Sequence, residues 1–126
     1  MLRLIDVDKT ITNGKHSQHI LKKINLEIQT GSFTVLLGKS GSGKTTLLSL
    51  MSGLDTITSG EIFFQDTRLL QSDPKTLTHY RKKNGIIFQN YNLIGGFSVI
   101  ENIMIGALAK GEVVDTTYLK ILLTDL

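Results

Sequence analysis

Gly38-Lys39-Ser40-Gly41-Ser42-Gly43-Lys44-Thr45 is the stretch on which the reading of this chain turns. It satisfies the pattern G-x-x-x-x-G-K-[ST] with no mismatch. Phe33-Thr34-Val35-Leu36-Leu37 before it reads as a short buried strand, and Thr45-Thr46-Leu47-Leu48-Ser49-Leu50-Met51 after it as a helix. The glycines let the backbone fold back, so that successive N–H groups face one concavity that suits a polyphosphate. The helix adds its positive N-terminal end. Lys44 is placed to reach β- and γ-phosphate oxygens as a point charge, and the Thr45 hydroxyl to ligate Mg²⁺. The alternative is a Gly/Ser-rich turn that matches by accident, and the strand-before, helix-after setting argues against it.

The bulk properties agree with a small anion-binding domain. The 126 residues suffice for one domain with a modest core. A net charge of +3, from 14 basic and 11 acidic residues, fits a polyphosphate but calls for neither nucleic acid nor an anionic membrane. There are no cysteines, which excludes a disulfide framework and a Cys-based metal site and is compatible with a reducing cytoplasm. No apolar run approaches the ~18 residues of a membrane span. Asp6 falls too early for a secretory signal.

Outward from the loop, Leu2 to Val7 alternates apolar and polar residues as a half-buried strand does. Asn13-Gly14-Lys15 is a turn signal, and Ile20 to Ile28 resumes the alternation, predicting an antiparallel pair. Ser52-Gly53 ends the first helix, with Gly53 at C′. Thr58-Ser59-Gly60 turns into the strand Glu61-Ile62-Phe63-Phe64, and Gln65-Asp66-Thr67 turns back into Arg68-Leu69-Leu70. Asp73-Pro74 reads as an N-cap with Pro at N1, opening a helix to about Lys83 that Asn84-Gly85 ends. Ile86-Ile87-Phe88 reads as a short buried strand ending at Gln89, Asn90 to Ser98 as a loop, with Leu93–Phe97 its flexible part, and Val99 to Ala109 and Thr116 to Leu123 as helices.

Taken in order, these segments resemble an ATP-binding-cassette (ABC) transporter ATPase. Gly31-Ser32-Phe33 resembles the turn before that family's phosphate loop. Thr58-Ser59-Gly60-Glu61-Ile62 resembles its "T/S-S-G-E-I", Ile87-Phe88-Gln89-Asn90-Tyr91-Asn92-Leu93 its Q-loop, and Val99-Ile100-Glu101-Asn102-Ile103 its "V-x-E-N-V". Tyr80-Arg81-Lys82-Lys83-Asn84-Gly85 is similar to the "R-R-K-x-I-G" of lipoprotein-releasing and macrolide or antimicrobial-peptide exporters. Phosphonate-type importers form the second subgroup that the sequence resembles, through Tyr91-Asn92-Leu93-Ile94 and Gly106-Ala107-Leu108.

The resemblance implies an α/β phosphate-loop (P-loop) NTPase with a RecA-like core and an N-terminal antiparallel β subdomain. Residues 1–32 would form the antiparallel part, 33–90 the core from P-loop to Q-loop, and 91–126 the start of a helical subdomain. It implies ATP and Mg²⁺ as ligands, with phosphates held by Gly38, Lys39, Ser40, Gly41, Ser42, Gly43, Lys44, Thr45 and Thr46. Gln89 would touch the metal or the attacking water. It implies a transmembrane permease subunit and a second ATPase subunit as partners, with the chain cytoplasmic and peripheral at the inner face of the membrane.

The sequence departs from the family at two places. Ile11 of Lys9-Thr10-Ile11 stands where an aromatic residue often stacks on adenine; it can pack on the base but not π-stack. The 126 residues also contain no L-S-G-G-Q signature, no apolar run followed by Asp-Glu, and no switch His. Leu93-Ile94-Gly95-Gly96-Phe97 lacks the Ser and Gln of a signature, and Ile121-Leu122-Leu123-Thr124-Asp125 carries a Thr and no following Glu. The expectation is therefore an N-terminal part of such an ATPase, truncated before the core is complete and catalytically incomplete alone. The alternative function is a truncated, non-hydrolysing nucleotide-binding fragment. A GTPase or small-molecule kinase is disfavoured by the absence of N-K-x-D. Arg81-Lys82-Lys83 reads as cations at a helix C-terminus rather than a nucleic-acid patch, and His16, His19 and His79 read as surface residues.

Overall fold

The computed structural model describes residues 1–69, 72–88, 90 and 92–110, the last five by backbone alone. The chain divides into two compact units, Met1–Asn84 and Gly85–Leu126.

The first unit is built on a four-stranded antiparallel sheet of order β2-β1-β3-β4. β1 (Leu2–Asn13) and β2 (His16–Ile28) form a long hairpin closed by Gly14-Lys15, with Gly14 at φ 59. β3 (Ser59–Phe64) pairs with β1 and turns at Gln65-Asp66 into the short β4 (Thr67–Arg68). The inward positions of alternating segments make the core: Leu4 and Val7 from β1, Leu21 from β2 and Ile62 from β3 are buried. Ile20, Ile24, Leu26 and Ile28 pack half-buried around them.

The hairpin is not regular. Its register shifts at three places, and two of them coincide with Asp6 (φ 46) and Lys23 (φ 44), non-glycine residues in the left-handed region. Polar side chains hold these bulges. Asp6 and Asn25 clasp each other, the Asp6 N–H donating to Asn25 Oδ1 at 3.0 Å and Asn25 Nδ2 to Asp6 Oδ1 at 2.9 Å. The Asp8 carboxylate accepts from the Lys23 N–H at 3.1 Å, pairs with His19 Nε2 at 2.7 Å and accepts from Ser59 Oγ at 3.0 Å. The Lys23 amide first, then Ser59 and His19, hold the Asp8 carboxyl below the usual range.

α1 (Lys44–Met51) buries Leu47, Leu50 and Met51, an i, i+3, i+4 stripe, on this sheet. It ends as the sequence predicts: Gly53 is left-handed (φ 74), its N–H bonds the Leu50 carbonyl at 3.0 Å, and the Leu54 N–H bonds the Ser49 carbonyl at 2.9 Å. α2 (Pro74–Lys82) opens at Asp73, whose Oδ1 accepts from the Lys75 and Thr76 amides at 3.0 and 3.4 Å. Its Tyr80 is buried, meets Phe64 edge-on at 5.0 Å and donates its hydroxyl to the Met51 carbonyl. Arg81 forks onto the Gly53 carbonyl at 2.8 and 2.6 Å, so the basic cluster serves packing as well as the helix end.

Two expected strands are corrected. Phe33–Leu37 forms no strand, and only Leu36 turns toward the core, while Phe33 and Leu37 are 93% and 89% exposed. Ile86–Phe88 forms none either, with Ile87 98% exposed. The reason is the same in both cases. A strand exists through its ladder, and among the described residues none pairs with either segment.

In the second unit α3 spans Val99–Lys110. Its start is a reciprocal capping box: the Glu101 N–H donates to Ser98 Oγ at 3.3 Å, and Glu101 Oε2 accepts from the Ser98 N–H at 2.7 Å. Glu101 Oε2 also accepts from the Ser98 hydroxyl at 2.7 Å, and that bond first, then the Ser98 amide's, holds the Glu101 carboxyl below its ordinary range. Asn102 stitches the preceding loop, accepting from the Ile94 N–H at 2.8 Å and donating to the Phe97 and Ser98 carbonyls at 3.3 and 3.1 Å. The glycine-containing segment Leu93–Phe97 is a loop, as expected, and Asn102 ties it at Ile94 and at Phe97. Gln89 and the helix expected over Thr116–Leu123 lie outside the described residues.

Candidate phosphate-binding site

The loop from Gly38 to Gly43 leads directly into α1 with nothing between. Gly41 (φ 75) and Gly43 (φ 88) occupy left-handed conformations that glycine adopts without steric cost. Gly43 is the residue before the helix and carries no side chain to cap it. The amides of Lys44, Thr45 and Thr46 have no carbonyl a turn behind them within the helix, so the helix presents uncompensated N–H donors. No acidic side chain lies in the first turn. That combination favours an anion.

The loop's shape is set by close approaches. A Cβ on Gly38 would lie 2.8 Å from Ser42 Oγ, and one on Gly43 would lie 2.9 Å from Leu21 Cδ2 and 3.3 Å from the Ile20 carbonyl oxygen. The last glycine of the motif thus lets the loop settle against β2.

Lys44 bends back over the loop. Its ammonium donates to the Gly38 carbonyl at 2.8 Å, the Lys39 carbonyl at 2.7 Å and Ser42 Oγ at 3.3 Å. An ammonium has three donors, so the longest of these bonds is the one an incoming phosphate oxygen most readily replaces. The two carbonyl bonds keep the charge over the concavity meanwhile. Thr45 is exposed at the first helical turn, which leaves its hydroxyl open to a cation. Among the described residues no group of three His, Cys, Asp or Glu side chains could cage a metal.

Of the other expected site residues, Ile11 is 47% exposed on the outer part of the hairpin, opposite Gln18. His19, read from sequence as a surface residue, is engaged by Asp8. Thr58, Ser59 and Gly60 dock β3 on β1. The Thr58 N–H donates to the Asp8 carbonyl at 2.9 Å, the Thr10 N–H donates to Thr58 Oγ1 at 2.9 Å, and a Cβ on Gly60 would lie 2.3 Å from the Asp6 carbonyl oxygen.

Sequence reasoning missed two features. One is the Lys9–Asp55 ion pair, signalled only by a lysine on an otherwise buried alternation. The other is the Ser98–Glu101 capping box, legible as S-x-x-E.

A glycine-turned loop that feeds an uncapped helix, with a lysine folded over it, defines a phosphate-loop nucleotide-binding domain. The chain belongs to the ABC transporter family, whose model matches residues 21–125. It is 43% identical over 108 residues to the putative ABC transporter ATP-binding protein MG065 of Mycoplasma genitalium, covering 85% of this chain and 23% of that protein. It is 43% identical over 112 residues to the phosphonates import ATP-binding protein PhnC of Thiobacillus denitrificans, covering 89% and 41%. That name belongs to the importer subgroup, the second of the two that the sequence resembles. The dimeric structure of MJ0796, a bacterial ABC transporter cassette, superposes with a TM-score of 0.83 at 35% identity, covering 90% of this chain and 50% of that one. The chain thus spans half the length of that solved cassette and less of these curated relatives.

Proposed function

We propose that the chain supplies the phosphate-binding half of an ABC-type ATPase site, which in a whole cassette couples ATP binding and hydrolysis to transport. Gly38–Thr46 holds the phosphates, Lys44 neutralises the β and γ groups, Thr45 ligates Mg²⁺, Gln89 orients metal or water, and Ile11 packs on the adenine. Residues 1–32 make up the antiparallel part together with β3, which pairs onto β1, and β4, which pairs onto β3; these two strands so do not belong with the rest of 33–90, the core from P-loop to Q-loop. Residues 91–126 are the start of the helical subdomain. A second cassette and a transmembrane permease are the partners, and the chain works at the cytoplasmic face of the membrane. The relatives named as ABC transporter or phosphonates import ATP-binding proteins support this, and so does the similar solved cassette MJ0796, described as dimeric. Among the described residues no helix is long and apolar enough to cross a membrane.

The observation that carries the reading is Lys44 poised over a concavity at the uncapped N-terminus of α1. Without an Asp-Glu pair or a signature sequence, these 126 residues bind nucleotide and do not turn it over. Lys44→Ala removes a charge-assisted contact and weakens Mg-ATP binding by about thirtyfold or more in a calorimetric titration. Unchanged affinity refutes the assignment. Mg²⁺-dependent phosphate release by the 126-residue chain, lost in Lys44→Ala, refutes the claim that it does not hydrolyse.

A further inference from the structure

Lys9 is a lysine on a buried strand, 9% exposed. Its ammonium donates to Asp55 Oδ1 at 2.7 Å and to the Thr56 carbonyl at 2.7 Å. Both partners lie in the loop just past the end of α1, where the Asp55 N–H still bonds the Ser49 carbonyl at 3.2 Å. Burial pushes the Asp55 carboxyl up, but the bonds from Lys9 and the Thr56 amide outweigh it and hold it below its ordinary range.

The cross-strand partner of Lys9 is Leu21, the residue against which Gly43 rests. One rung of the hairpin therefore touches both ends of α1: Lys9 grips the loop after it, and Leu21 abuts the glycine before it. The next amide outward, of Thr10, is fixed by Thr58 Oγ1. Ile11 follows immediately. A partly buried ion pair is weak evidence for stability, since its desolvation offsets much of its attraction. Its directional bonds define position.

We propose that Lys9 and Asp55 are a positioning pair that holds the hairpin in register with the phosphate loop, so that one adenine nucleotide meets Ile11 and Gly38–Thr45 together. This rests on the reading of those residues as base and phosphate contacts. The pair touches no part of the nucleotide. It acts through β1, and its effect falls on the nucleoside end of the ligand alone.

The test compares Mg-ATP with Mg-tripolyphosphate, which has the phosphates and no base, in titrations of the full chain, Lys9→Met and Asp55→Asn. Lys9→Met is expected to weaken ATP about tenfold, the worth of roughly 50 Å² of apolar contact, while tripolyphosphate binding stays within about twofold. Asp55→Asn shifts the ratio the same way by less, because the Thr56 carbonyl still holds Lys9, and it decides the matter if Lys9→Met fails to fold. Affinities for ATP that stay unchanged, or that fall in parallel with those for tripolyphosphate, overturn the positioning role. A wild-type chain that binds neither ligand overturns the phosphate-loop reading itself, and this proposal with it.

Discussion

Gly60→Ala separates a residue retained for backbone freedom from one retained for space. Gly60 has φ 89, and an added Cβ would lie 2.3 Å from the Asp6 carbonyl oxygen, 2.6 Å from its carbon and 2.7 Å from the Ile5 oxygen. These are backbone atoms of β1, turned toward Gly60 by the bulge at Asp6, and they cannot rotate away as a side chain would. The positive φ costs an L-residue roughly 1–2 kcal/mol. Relieving the contact demands a separation of about 0.7 Å between β1 and β3, an overpacking that costs roughly 1–3 kcal/mol more. That movement loads the bonds from the Thr58 amide to the Asp8 carbonyl and from Ser59 Oγ to Asp8 Oδ2, at 2.9 and 3.0 Å. Gly14→Ala is the control, with φ 59 at the hairpin turn and nothing within 4 Å of the added carbon. It carries the conformational cost alone, roughly 1–2 kcal/mol. Urea unfolding of both variants, followed by circular dichroism, should place Gly60→Ala below Gly14→Ala by about 1–3 kcal/mol. Equal destabilisation would refute the argument that steric contact with β1 fixes this glycine.

Tyr80→Phe leaves the Met51 carbonyl without its buried donor and should cost about 1–3 kcal/mol in the same unfolding experiment, with a loss below a few tenths refuting the bond's role. Asp73 is held below the usual carboxylate range by the Thr76 hydroxyl first and then by the Thr76 and Lys75 amides. A depressed folded-state value contributes stability that is present above the unfolded value, near about 4, and is lost as pH falls through the folded one. Asp73→Asn keeps the cap but does not titrate, so the wild type's advantage in melting temperature should shrink between neutral pH and about pH 3, and an advantage independent of pH would refute it.

Much of the candidate site was legible because its information is local. The glycine spacing, Lys44 and Thr45 specify a loop and a helix start within one turn of chain, and the structure places them so. Gly53 as helix end, Asp73 as cap and Asn13-Gly14 as hairpin turn were legible for the same reason, since each acts on its own backbone. Phe33–Leu37 and Ile86–Phe88 were misread because β-branched and aromatic composition signals compatibility with a sheet, whereas the ladder needs a neighbour that composition does not name. The Lys9–Asp55 pair joins residues 46 apart in the chain, which no local pattern connects.

The sequence by itself determined the phosphate loop, its following helix, the caps and turns, and membership of a family through motifs in order. The tertiary structure decided what the remaining motifs are for. Thr58-Ser59-Gly60 is a dock for β3 on a bulged strand. Arg81 is a clamp on a helix-ending carbonyl, and Asn102 stitches a loop. Lys9 spans from the hairpin to the far end of α1. Each of these depends on where a distant backbone group lies, and that is set by the packing of the whole sheet rather than by neighbours along the chain.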